Sequence, residues 1–168
     1  YAATGPITVE LRNVRTKEKT TAVVDTSEGT FAAAIKVSAK DDYVLTVKKD
    51  GASFNSQVIS GNQEFAPTKT EVKQMEVQPV VAGSTYRIND INFASNSAVL
   101  LPESMVVLEE FAAYLKANPK IKIAIHGHTD NVGDDNRNMD LSNERAFAVF
   151  EALTTKFGVS KSQITGAF

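Results

Sequence analysis

The chain has 168 residues, a net charge of −2, 42% apolar and 23% charged residues and no cysteine, enough for one full domain or two small ones and incompatible with disulfides, thiolate catalysis or cysteine-ligated metals. Lysine and arginine are interspersed with aspartate and glutamate, and no basic stripe supports a nucleic-acid or anionic-membrane partner. The longest apolar runs, such as Val99–Leu101 and Met105–Leu108, fall far short of the roughly 20 residues a membrane helix needs.

The first half alternates. Ile7, Val9 and Leu11 take every second position, and Tyr43, Leu45 and Val47 repeat the pattern, as half-buried strands do. Asp25-Thr26-Ser27-Glu28-Gly29 is a turn cluster, followed by Thr30-Phe31 and an apolar run through Val37. Asp50-Gly51 marks another tight turn before a strand from about Ser53 to Ile59. Five short strands with such turns predict a small antiparallel β-sandwich, with no helix-period segment before residue 100. The polar stretch from Gly61 to Gly83, with Pro67 and Pro79, places a domain boundary near residue 80, so that the expected domains are 1–80 and 81–168.

The second half changes period. Pro102 suits the first position of a helix, and Met105, Leu108, Phe111, Ala112 and Leu115 follow at three- and four-residue spacing until Asn118-Pro119 stops it. Ile121, Ile123 and Ile125 alternate as a strand. After the loop around Gly133, residues Ala146, Val149, Phe150, Leu153 and Phe157 mark a second amphipathic helix, closed by Gly158. With strands at about 87–93, 121–127 and 164 onward, the order is β-α-β-α-β, an α/β sandwich with both helices on one face of a small sheet, so that the whole chain reads as α+β.

His126-Gly127-His128-Thr129-Asp130 has the look of a metal motif, since His126, His128 and Asp130 would share one face of a strand. It also resembles the start of the metallo-β-lactamase signature, but that motif continues Asp-His, and here Asn131 follows. No further histidine exists, and polar histidines at a strand end are the preferred reading, with no metal or other cofactor expected. Nucleophile motifs of the Gly-x-Ser-x-Gly and Ser-x-x-Lys kinds are absent, and Gly127 and Gly133 match no phosphate-binding loop, so an enzyme is not expected.

What stands out is Gly127-His128-Thr129-Asp130-Asn131-Val132-Gly133, then Asn138, then Leu141-Ser142-Asn143-Glu144-Arg145-Ala146. This combination resembles the peptidoglycan-binding domain of the OmpA C-terminal family, whose pattern is roughly T-D-x-x-G, an Asn in the next loop, and L-S-x-x-R-A on the second helix. Upstream, Ile91-Asn92-Phe93-Ala94-Ser95-Asn96-Ser97-Ala98 resembles the family's entry strand and loop, and Pro102-Glu103-Ser104 its helix start. The resemblance covers about 86–168. Ala94 departs from it, because many members carry Asp there; ligand contacts at that point would come from backbone or from Ser95 and Asn96. The family's final strand is cut short at Phe168.

The resemblance implies a ligand, the diaminopimelate of the peptidoglycan stem peptide, with an ammonium and a carboxylate at its outer end. It places Asp130 on the ammonium and the planar fork of Arg145, near the start of a helix, on the carboxylate. The helix N-terminus would add partial positive charge for the same carboxylate. Asn138, two helical turns before Arg145, would share its face if that helix starts early. Thr129, Phe93, Ser95, Asn96 and Leu141 complete the implied ligand-binding set, although Phe93, Leu108, Phe111 and Val149 read more readily as core.

The first half more loosely resembles carboxypeptidase regulatory-like β-sandwich domains, through Asp25…Gly29-Thr30-Phe31 and Tyr43-Val44-Leu45-Thr46-Val47. Such a sandwich followed by an OmpA-like domain is similar to the C-terminal half of a periplasmic component of type IX secretion. The expected function is therefore noncovalent anchoring of a larger outer-membrane or secretion assembly to the cell wall, in the periplasm. A protein–protein adaptor that recruits a partner through the sandwich's edge strands is the alternative. Both termini read as boundaries of a piece cut from a longer, outer-membrane-tethered protein.

Overall fold

The computed structural model describes residues 7–24, 38, 40–49, 51–61, 75, 78–129 and 134–168. The chain divides into two compact units, Tyr1–Asp90 and Ile91–Phe168.

In the first unit, β1 (Ile7–Asn13), β2 (Lys19–Val24), β3 (Tyr43–Lys48) and β4 (Asn55–Ile59) form one antiparallel sheet in the order β2-β1-β3-β4. The alternation in β1 puts Ile7, Val9 and Leu11 on one face, and the register sets Val9 opposite Val47 and Leu11 opposite Leu45. Ile7, Val9 and Val47 are buried there, with Leu45 and Met75 packed against them. The opposite face carries Glu10, which accepts hydrogen bonds from Lys19 Nζ at 2.7 Å on β2 and Lys48 Nζ at 3.0 Å on β3. Between β1 and β2, Asn13 Oδ1 accepts from the N–H groups of Arg15 and Thr16, and Lys17 takes the left-handed conformation (φ 63°). Asp41 accepts from Arg15 Nε and Asn13 Nδ2, and these bonds, the arginine's first, hold its carboxyl below the ordinary carboxylate range.

In this unit the described residues thus supply one sheet. The strand expected over Thr30–Val37, which a second layer would need, lies outside them, as does the turn cluster before it. Strand β2 carries no periodic signal of its own, because Lys19-Thr20-Thr21 shows no apolar alternation.

Residues 78–90 belong with this sheet. Ser53 N–H donates to the Gln78 carbonyl at 2.7 Å and Val80 N–H to Gly51 at 3.1 Å. Asp90 Oδ2 accepts from Val58 N–H on β4 at 2.7 Å. The units therefore divide later than the boundary near residue 80 expected from the sequence. The strand expected at 87–93 is not formed: Asp90 turns the chain with φ 62°, and its side chain serves β4 in place of a ladder bond.

In the second unit a tight hairpin brings Phe93 opposite Leu100, closed by Ala94 N–H to the Val99 carbonyl at 2.8 Å. Helix α1 (Pro102–Ala117) follows, with proline in its first turn as expected and a C-cap at Asn118. Its buried face holds Val106, Val107, Leu108, Phe111, Ala112 and Leu115. Ser104, fully buried on the first turn, accepts from Asn92 N–H at 2.7 Å and donates to the Asn92 carbonyl at 2.9 Å, fixing the hairpin to α1.

Strand β5 (Ile123–Ile125) pairs in parallel with β6 (Ile164–Ala167), and the ladder continues through Phe168 N–H to Ile125 and Gly127 N–H to Phe168. Helix α2 (Asp135–Glu151) packs across both strands. Its continuation through Lys156 is a wider turn, in which Phe157 N–H reaches Ala152 at 3.0 Å, and α1 packs on that turn. Gly158 then takes φ 70°, a conformation in which glycine carries no Cβ penalty, and the chain leaves the helix. Among the described residues the element order is α-β-α-β behind the hairpin, and no helix is long and apolar enough to cross a membrane.

One buried amide holds the lower end of this unit together. Gln163 Nε2 donates to the carbonyls of Leu115, Asn118 and Ile121 at 2.9, 3.3 and 3.2 Å, satisfying the end of α1 and the entry to β5. Gln163→Leu keeps the bulk and leaves those carbonyls without this donor, an expected loss of about 1–3 kcal/mol. A thermal melt should show a lower midpoint; an unchanged midpoint would mean that water replaces the amide without cost.

Candidate functional site

Arg145 is the centre of the site that the described residues build. It sits on the third turn of α2, half-buried, and the helix carries it over the Phe93–Leu100 hairpin. Its Nε donates to the Ser97 carbonyl at 3.1 Å. Its guanidinium carbon lies 5.1 Å from the centroid of the Phe93 ring, within cation–π range. Among the described residues no carboxylate is in ion-pair distance of it.

Local sequence explains the hairpin's shape. Asn96 takes φ 52°, a conformation that asparagine tolerates better than most side chains. Ser97 Oγ accepts from Val99 N–H at 3.0 Å and closes the turn from within. The result points the Ser97 carbonyl at α2.

Arg145 is not near the start of its helix, as the sequence suggested. Helix α2 begins at Asp135, so Arg145 lies about 15 Å along the axis from the first turn. That first turn is already served and already negative. Asp134 accepts from Arg137 N–H at 2.9 Å, its carbonyl accepts from Asn138 N–H, and Asp135 follows. The helix N-terminus therefore cannot supply the positive end for a carboxylate held by Arg145.

The early start does put Asn138 and Arg145 on one helix, seven residues apart and hence on one face, with Leu141 between them; Asn138 and Leu141 are half-buried. Thr129 is half-buried just beyond β5, and Ser95 and Asn96 are exposed on the hairpin. Asp130 and Gly133 lie outside the described residues. The structure thus brings Phe93 and Arg145 together, with the Ser97 carbonyl as a third member that sequence reasoning missed. No side-chain signal marks it, because every residue carries a carbonyl.

Of the two histidines, His126 stacks on Phe168 with ring centroids 5.5 Å apart, and His128 is exposed. Gly127 between them has a packing role. A Cβ on it would fall on the Ser142 carbonyl of α2, so a side chain there is incompatible with the helix lying where it does.

Comparison with known proteins places this site within a matched segment. The OmpA family model matches residues 92–167. The Escherichia coli protein named "Probable lipoprotein YiaD" is 41% identical over 76 residues, 45% of this chain and 34% of that protein. The Escherichia coli protein named "Putative lipoprotein YfiB" is 32% identical over 118 residues, 67% of this chain and 74% of that protein. The peptidoglycan-binding protein ArfA of Mycobacterium tuberculosis is 36% identical over 74 residues, 44% of this chain and 22% of that protein. The chain thus spans about a third of YiaD and under a quarter of ArfA, and most of YfiB.

Proposed function

The chain belongs to the OmpA family, and we propose that it binds peptidoglycan noncovalently through the diaminopimelate of the stem peptide, without catalysing a reaction on it. The observation that carries this reading is the arginine on α2. Among the described residues Arg145 spends its Nε on the Ser97 carbonyl and its face on Phe93, so that in this reading its terminal nitrogens meet an anion in the bidentate manner that suits a carboxylate. It lies inside the segment that matches the family.

In this reading Arg145 takes the outer carboxylate and Asp130 accepts from the adjacent ammonium. Asn138 and Thr129 add neutral hydrogen bonds, and Leu141, Ser95 and Asn96 border the ligand. A chain of this kind works in the periplasm, tethered to the outer membrane by a region outside it, as the likeness to two lipoproteins suggests. The N-terminal unit, read as a carboxypeptidase regulatory-like sandwich, would join the anchor to a larger outer-membrane or secretion assembly, of which type IX secretion is the specific candidate.

Co-sedimentation with purified sacculi tests the reading. The protein should pellet with diaminopimelate-type sacculi and be released by free diaminopimelate but not by lysine. Protein that stays in the supernatant, or that both amino acids release equally, contradicts it.

A further inference from the structure

We infer that Phe93 is a positioning residue: its ring, with the Ser97 carbonyl, presets the Arg145 guanidinium before any ligand arrives, and this presetting discriminates a carboxylate-bearing stem peptide from one without. The inference rests on the binding role given to Arg145 above.

A free arginine side chain loses considerable rotamer freedom when it is fixed on a ligand, and that loss weakens binding. Here the guanidinium is held from two directions by groups that carry no net charge. The Phe93 ring lies against it, 5.1 Å from the guanidinium carbon. The bond from Nε to the Ser97 carbonyl at 3.1 Å holds it at a second point. Neither contact neutralises the arginine, as a carboxylate partner would.

The support is itself anchored. Phe93 pairs with Leu100 across the hairpin, and its neighbour Asn92 is clamped at both backbone groups by Ser104, which is fully buried on α1. The carbonyl of Ser97 is aimed by the Ala94–Val99 bond and by the left-handed Asn96. Phe93 therefore transmits the rigidity of α1 to an arginine on α2. Loss of the ring leaves the arginine charged but free to swing, which penalises the geometrically demanding fork and leaves ligands that make no use of it untouched.

The test titrates the full chain and its Phe93→Leu and Phe93→Tyr variants with a diaminopimelate-containing muropeptide and with its lysine-containing counterpart. Phe93→Leu should weaken the first by on the order of tenfold and leave the second unchanged, and Phe93→Tyr, which keeps the ring, should restore the parent's preference. Equal loss of both peptides, or no loss of either, overturns the inference. Arg145→Ala run alongside separates the two levels. If it abolishes binding while Phe93→Leu binds as the parent does, positioning alone fails; if it binds as the parent does, the underlying reading fails. Should Phe93→Leu not fold, the Nε–H resonance of Arg145 in the ligand-free parent decides: a ring-shifted, exchange-protected signal supports presetting, and one that exchanges as fast as that of the exposed Arg137 refutes it.

Discussion

Arg145→Ala is expected to remove roughly 2–5 kcal/mol of binding free energy for a diaminopimelate-containing muropeptide, the usual cost of deleting one partner of a desolvated charge pair. In affinity this is a loss on the order of thirtyfold to several thousandfold. The domain should stay folded, because among the described residues the arginine makes a half-buried hydrogen bond to Ser97 and a cation–π interaction with Phe93, together about 1–2 kcal/mol. Circular dichroism and a thermal melt establish the fold, and calorimetric titration reads the affinity. Arg145→Lys keeps the charge without the fork and should recover only part of the affinity. Asp130→Ala is expected to weaken binding comparably, through the ammonium. If both alanine variants bind as the parent does, the ligand lies elsewhere.

Gly127→Ala should injure the same site by a different route. The added methyl would meet the Ser142 carbonyl, which is backbone and cannot swing aside, so α2 as a whole must lift off β5 and β6. Overpacking of this kind costs about 1–3 kcal/mol, which lowers the melting midpoint of a domain this size by about 4–8 °C for each kcal/mol. Because α2 carries Arg145, binding should fall along with stability. Gly158→Ala is the useful contrast: among the described residues no atom beyond the chain neighbours lies within 4 Å of the new methyl, and the conformational preference at φ 70° is what it offends. A melt in which Gly127→Ala matches the parent would show that the helix does not press on the strand.

Much of this was legible in the residues. Helix α1 announces itself through Pro102, a three-and-four spacing of apolar residues and Asn118-Pro119, because all three features act locally. Strands β1, β3 and β4 follow from alternation or turn signals for the same reason. The start of α2 was hidden: Asp135-Asn136-Arg137-Asn138 is polar throughout, and only Ala146 of the helix is buried, so periodicity had little to work with. Asp134 as an N-cap was the signal that would have found it. The strand expected at 87–93 failed on a tertiary contact, since nothing in Arg87-Ile88-Asn89-Asp90 reveals that the aspartate will turn the chain and bond to Val58. Within the site, residue types pointed to Arg145, whereas the Ser97 carbonyl that orients it depends on a hairpin closed by bonds between backbone groups. The reversal at the helix N-terminus has the same origin: its charge depends on where the helix begins, which the motif alone does not state.

The most direct test is calorimetric titration of the chain with a diaminopimelate-containing muropeptide beside its lysine-containing counterpart, which differs by the outer carboxylate that the proposal assigns to Arg145. Saturable binding to the first with much weaker binding to the second is the predicted result. Binding to neither, or equal binding to both, would contradict it; with neither bound, a protein–protein adaptor working through the N-terminal sheet becomes the better account of the molecule.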